Sequence, residues 1–498
     1  MSFRAALAAA RTGTNTPDAL EDLARAALAE AEEEAALALV QPAAERLRSA
    51  RLWQWTGLLH RSLGQLTEAM AAFATAADLA PADPLIAHGR ARAALEAGVD
   101  ARGLFEAALR LSPSGEVWLG WCAAHYAMGE GALALDRLSG LLAGSPQWAA
   151  GHVHYAQLAA MCGRAADAMA TIQPALARAP TDPSLWDAAL QILNRAERFD
   201  EAWQLADQAI AATRDESRFA LARAAALSDS RRDDQAGPAF ARLGEPRHVH
   251  HAVLLARHLV RVGNLGALGQ LADRWLHGDD AHLFWSYAAI AWRQSGDPRW
   301  EWLEGQDGMV QVLELSGTVD FGAVAADLRR IHARSGRFLD QSVRGGTQTD
   351  GPLFSRIEPS IRQLRAAIVT AVEEYRAKLP PPDPTHPMLL HARDRPIRFA
   401  GSWSVCLTGQ GFHSQHVHPQ GWISSALYVD LPARLDGSEG WLTLGQPQDS
   451  LGSGLEPFRT VEPKVGRLVL FPSMMWHGTI PFAAGERLTT AFDIAPPR

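Results

Sequence analysis

The chain has 498 residues, too many for one compact core, so two or more domains are expected. Its 47% hydrophobic and 20% charged content is that of a globular protein, and a formal charge of −8 with no basic run excludes non-specific nucleic-acid binding. Cys122, Cys162 and Cys406 lie far apart with no CxxC pair, which excludes a cysteine-built zinc site and argues against a disulfide framework; reduced thiols in a cytoplasm are the simpler reading.

The opening MSFRAALAAARTGTNTPDAL carries an Arg inside its apolar part and soon turns acidic (EEE at 32–34), so no signal peptide is expected. No run approaches the ~18 apolar residues that span a bilayer, and the expectation is a cytoplasmic protein with no membrane partner. From there to about residue 300, Ala, Leu and Arg recur at helical spacing. Pro81, Pro113, Pro146 and Pro180 are 32, 33 and 34 residues apart, each after an Ala-Leu helix. A period near 34 with two helices per unit is the tetratricopeptide signature. The best unit runs from Ala50 to Pro81, with Trp53, Gly57, Gly64, Ala69, Phe73, Ala76 and Pro81 at repeat positions. Small residues such as Gly57 let two helices approach, and large ones such as Phe73 fill the gap to the next hairpin. From Arg214 to Trp300 the pattern degenerates but stays helical. An array of this length is expected to recruit a peptide or protein segment; support of a homodimer or of the next domain is the alternative.

After Gly305 the texture changes to strands: 309–315, 397–407, 422–431, 466–471 and 487–494, separated by Gly- and Pro-rich turns and by two helical stretches. The expected fold is therefore α+β and multidomain: an all-α, tetratricopeptide-like solenoid over 1–304 and a β-sandwich or barrel of jelly-roll type over 305–498.

The chemistry concentrates in GFHSQHVHPQGWISSALYV (411–429). His416 and His418 are two residues apart, so on a strand both point to one face. His477, after the strand GRLVLF and a Pro-Ser turn, is the candidate third ligand. Ten residues on, Arg487 opens the strand RLTTAFDI with Thr489 on its face. A metal with open coordination positions, beside an Arg–hydroxyl pair that can clamp a carboxylate, is what an iron oxygenase using 2-oxoglutarate and O2 requires.

The segments RGGTQTDGPLF (344–354), GSWSVCL, HSQHVHPQGWISSALYVDLP, GRLVLFPSMMWHGTIPF and ERLTTAFDI occur in the order found in a family this chain resembles, the tetratricopeptide-repeat-containing 2-oxoglutarate/Fe(II)-dependent oxygenases. The resemblance implies a C-terminal double-stranded β-helix and a non-haem dioxygenase that hydroxylates a C–H bond; the helical array makes a side chain of a peptide or protein the expected substrate. It makes His416 the first Fe(II) ligand, His477 the distal one and Arg487 the 2-oxoglutarate clamp. The slot two residues after His416, a carboxylate in the wider superfamily, holds His418. Either three histidines bind the metal, or His416 and His477 bind it and water fills the third place. Zinc, or a scaffold without metal, is the bland alternative.

Other assignments rest on less. Among Trp403, Ser404, Trp422, Ser424 and Tyr428, which alternate on strands, most read as core; Ser404 and Tyr428 are assigned to the cosubstrate and Trp422 to the substrate. His413 reads as a neighbour of the ligands facing substrate. RGGTQTDG reads as a Gly-rich loop at the mouth, with Thr347 and Gln348 touching substrate. Trp476 fills the barrel, and Asp493 orients Arg487 or caps its strand. Two further functions stay open: a repeat scaffold with a structural metal and no catalysis, and a small-molecule hydroxylase whose repeats only dimerise.

Overall fold

The computed structural model describes residues 2–11, 16–339 and 342–497. Helical hairpins fill the chain to Ser295, and antiparallel strands dominate after it. Asp-Pro pairs start repeats rather than end them. Asp83 accepts hydrogen bonds from the backbone N–H groups of Leu85 and Ile86 at the head of helix Pro84–Glu96, with Pro84 in the first turn, and Asp182–Pro183 does the same for Pro183–Arg195. Phe73 is fully buried between Gly57 of helix Ala50–Ser62 and Gly89 of the next hairpin; a Cβ at either glycine would overlap its ring.

The repeat continues through the stretch whose sequence pattern fades. The turn inside each hairpin has one residue with positive φ, between 55° and 84°: Ala31, Gly64, Gly98, Gly129, Gly163, Glu197, Arg231, Gly263 and Gly296. These lie 31 to 34 residues apart, so one period runs to the end of the helices. Glu197 and Arg231 hide it because they hold a left-handed conformation that glycine adopts freely.

Two compact units form. One contains the residues up to Leu138 with Asp350–Arg365; the other contains Ser139–Thr349 with Ala366–Pro497. The second therefore holds both later repeats and all the strands. These are β1 (Gln311–Glu314), β2 (Val343–Gln348), β3 (Phe399–His413), β4 (Ile423–Asp430), β5 (Leu442–Leu444), β6 (Arg459–Val461), β7 (Arg467–Pro472), β8 (His477–Thr479) and β9 (Glu486–Ile494). A six-stranded sheet has the order β1-β7-β4-β9-β3-β2 and a three-stranded sheet the order β6-β5-β8, the jelly-roll arrangement. RGGTQTDG is not a loop at its start: Val343–Gln348 pairs with β3 and bulges between Arg344 and Gly346.

The later helices pack directly on the strands. Trp476 does not fill the barrel; it sits among Ala252, Ala256, Leu268, Tyr287 and Ile290 of the repeats, joined by Val417 and Leu451. Its indole N–H donates to the Ser286 carbonyl at 3.1 Å. Arg261, Arg293 and Gln294 donate to the backbone carbonyls of Ser450, Gly445, Glu456 and Ser453 in the long loop after β5.

Replacing Arg231 by Gly relieves the left-handed strain without removing a packed side chain. It is expected to raise unfolding free energy by about 1 kcal/mol, measured by chemical denaturation of Arg231→Gly against wild type.

Candidate metal and cosubstrate site

His416 lies in no strand. It forms an isolated antiparallel bridge with His477: His416 N–H donates to the His477 carbonyl at 2.9 Å and His477 N–H to the His416 carbonyl at 3.0 Å. Directly paired residues in such a bridge project to the same face, and the two ring centroids stand 4.2 Å apart. Two residues on, the His418 N–H donates to the Ser473 carbonyl at 2.9 Å. That fixes the second ring 4.8 Å from His416 and 5.0 Å from His477. The alternation expected of a strand is thus supplied by an extended segment pinned at both ends. One ring nitrogen from each histidine lies within 4.8 Å of the other two.

The tautomers follow from the partners. His416 Nδ1 faces the Ser414 carbonyl at 2.8 Å, and His477 Nδ1 faces the Met475 carbonyl at 3.0 Å. His418 Nδ1 meets Asp493 Oδ1 at 2.8 Å. A carbonyl or carboxylate only accepts, so each Nδ1 carries a proton and Nε2 is the ring atom left to bind a metal. Desolvation and the neighbouring imidazoles hold His416 and His477 well below the usual histidine pKa, so both rings are neutral at neutral pH; His416 Nε2 stands 3.4 Å from Ser342 Oγ.

Register carries the face across the sheet. In β3–β9, Val405 opposes Thr489 and Leu407 opposes Arg487; in β4–β9, Tyr428 opposes Thr489 and Ser424 opposes Asp493. Arg487, Thr489, Asp493, Tyr428, Ser424 and Trp403 therefore share one side of the sheet. The Trp403 ring lies 5.4 Å from that of His418, and the Phe471 ring 4.8 Å from that of His477. Arg487 is 1% exposed, with its guanidinium 5.1 Å above the Tyr428 ring. Its Nε and Nη1 and the Tyr428 hydroxyl find no hydrogen-bond partner among the described residues. Burial lowers the Arg487 pKa and raises that of Tyr428, each shift opposed by the other group. A buried guanidinium with idle N–H groups is costly unless an anion meets it. The donor set fits what the sequence implies: imidazoles suit iron, and the idle N–H groups suit a carboxylate.

His413 ends β3. Its N–H donates to Thr479 Oγ1 at 2.9 Å, its ring lies 6.3 Å from His416, and burial, Arg487 and His418 push its pKa down to about 3. Gln348 opposes Val405 and so shares the side of Thr489.

Four residues stand elsewhere than the sequence suggested. Ser404 and Thr347 have the opposite parity and point to the outer face, under helix Phe321–His332. Ser404 Oγ donates to the Thr489 carbonyl at 2.8 Å, and His332 bridges Ser404 and Thr347 at 2.9 Å each. Neither hydroxyl shares the side of the sheet that carries Arg487 and Thr489. Trp422 is 4% exposed and donates to the Met388 carbonyl at 2.9 Å, so it packs instead of facing substrate. Asp493 neither pairs with Arg487 nor caps β9; it bonds His418 and Ser424. Only register reveals that last contact, because it joins a loop to two strands distant in sequence.

Residues 401–493 match the family described as "Putative 2OG-Fe(II) oxygenase". No curated protein matches the sequence. Among solved structures the chain is similar to a prolyl-4-hydroxylase from Pseudomonas putida, at 19% identity over 38% of this chain and 92% of that one, with a TM-score of 0.27. It is also similar to a tetratricopeptide repeat protein from Parabacteroides merdae, at 14% identity over 47% of this chain and 95% of that one, with a TM-score of 0.29.

The outer-face histidine gives a pH prediction. Burial pushes His332 down to about 4, against about 6.5 in an unfolded chain. Below about pH 6.5 the unfolded state takes up a proton that the native state refuses, so stability falls as pH drops towards 4. His332→Gln should remove up to about 3 kcal/mol of that acid loss, read as a flatter dependence of unfolding free energy on pH. An unchanged slope contradicts it.

Proposed function

We propose that the protein is a non-haem Fe(II), 2-oxoglutarate-dependent dioxygenase that hydroxylates a peptide or protein side chain recruited by its helical repeats. One observation carries the reading. Three imidazole nitrogens gather within 4.8 Å on the sheet side that also buries an arginine with unmet N–H groups. A metal site built only for structure has no use for the second feature.

On this reading His416, His418 and His477 hold the metal through Nε2. Fe(II) with bound 2-oxoglutarate and O2 supplies the chemistry: decarboxylation of the cosubstrate to succinate and CO2, coupled to hydroxylation of a substrate C–H bond. The chain's own groups do the rest. Arg487 grips the far carboxylate of the cosubstrate with paired N–H donors, and the Tyr428 hydroxyl, idle and buried beside it, adds a further donor. Thr489, opposite Tyr428 in register, flanks the same end. Trp403 and Phe471 press on the outer ligand rings and keep water off them. His413, neutral in its desolvated place beside His416, offers a hydrogen-bonding edge to the substrate without adding charge. The choice of a peptide or protein as substrate rests on the repeats. Stacked hairpins of this kind hold extended segments.

The test is succinate formation from 2-oxoglutarate with Fe(II) and ascorbate. His477→Ala should lower the rate roughly 100-fold. Arg487→Met should weaken 2-oxoglutarate about 30-fold or more, as expected when a buried charge partner is lost. Equal rates in wild type and His477→Ala contradict the oxygenase reading. For the substrate class, a peptide library should gain the mass of one oxygen atom where a pool of small metabolites does not; the reverse result favours a small-molecule hydroxylase.

A further inference from the structure

The three ligand candidates are not equivalent. His416 and His477 each lean on a neutral backbone carbonyl, Ser414 and Met475, whereas His418 leans on a carboxylate. Asp493 is 9% exposed, and among the described residues its ion-pair partner is His418. It is held in place from the other side: Ser424 Oγ donates to the same Oδ1 at 2.5 Å, and Ser473 Oγ stands 2.9 Å from Ser424 Oγ. Gly421 lets the chain close over this group, since a Cβ there would crowd Ser473 Oγ and lie 3.3 Å from the Asp493 Cβ. Among the described residues no arginine or lysine pairs with this buried carboxylate, and a cation on the far side of the imidazole would balance it.

We propose that Asp493 is the carboxylate of the metal site, set one imidazole further out: acting through His418, it supplies the negative charge that a carboxylate at position 418 would have supplied directly. Asp493 is a positioning residue. It locks His418 with Nε2 towards the metal and raises the donor strength of that ring above that of His416 and His477. It also answers the open question of the third ligand, because a carboxylate behind His418 is of no use if water takes that place. The inference rests on the histidine reading given above.

Binding of Co(II) to the full-length protein, followed by its visible absorption and by calorimetry, separates the two. Asp493→Asn keeps the shape and removes the charge; it should weaken Co(II) about 10- to 100-fold and shift the ligand-field bands, with the circular dichroism spectrum unchanged. In a His418→Ala background the same change should have no further effect, because Asp493 acts only through that ring. The paired variant His418→Asp with Asp493→Asn puts one carboxylate at the ligand position and none behind it. It should bind Co(II) within about threefold of wild type, and it tests the idea even where Asp493→Asn alone fails to fold. If Asp493→Asn binds Co(II) like wild type while His477→Ala loses binding, the histidine site stands and this inference falls. A further loss in the His418→Ala background, or failure of the paired variant to bind, also overturns it. If His477→Ala binds as wild type does, both fall.

Discussion

Two reciprocal backbone hydrogen bonds, between His416 and His477, set the geometry on which everything else here depends. A narrow antiparallel pair fixes relative position and face at once, so two imidazoles from segments 61 positions apart stand side by side. The next pin, His418 N–H on the Ser473 carbonyl, brings in the third ring. His416, His418 and Ser473 lie just outside regular strands, where a chain can bend towards a ligand, while His477 opens β8 and Ser473 follows directly on β7.

The bridge is held from behind by the helices. Val417, between two of the histidines, and Trp476, next to the third, both point away from the site into the core of the later repeats. Alternation along an extended chain makes this unavoidable: if 416, 418 and 477 face the metal side, 417 and 476 face the other. The last hairpins are therefore part of the scaffold of the site as well as members of an array. This is why compactness groups the chain from Ser139 with the strands, while the change from helix to strand comes only after Ser295.

Local signals were legible in the sequence and long-range ones were not. Helical period, proline spacing and the apolar strands reveal solenoid and jelly roll, and HVH with a later His and Arg reveals the candidate cluster. Turns at Glu197 and Arg231 lack the glycine that marks the others, yet the φ period shows the repeat intact. The short strands β5, β6 and β8 have three residues each, too few for a pattern to register. Ser404 and Thr347 looked as eligible as Tyr428 because a hydroxyl on a strand does not announce its face; pairing with β9 and the helix bearing His332 decides it. Asp493 was visible as a residue sharing the side of Arg487, yet its partner arrives from a loop 75 positions away. No local pattern encodes that contact.

The electrostatics divide the site in two. At one end imidazoles, one of them backed by a carboxylate, face a place suited to a cation; at the other a desolvated guanidinium faces a place suited to an anion. The most direct check is a crystal structure with Mn(II) and 2-oxoglutarate, the ion located by its anomalous signal. The account predicts one ion bonded to the Nε2 atoms of His416, His418 and His477, with the far carboxylate of the cosubstrate on Arg487. An ion bound away from these three rings, or a cosubstrate that leaves Arg487 without a partner, would contradict it.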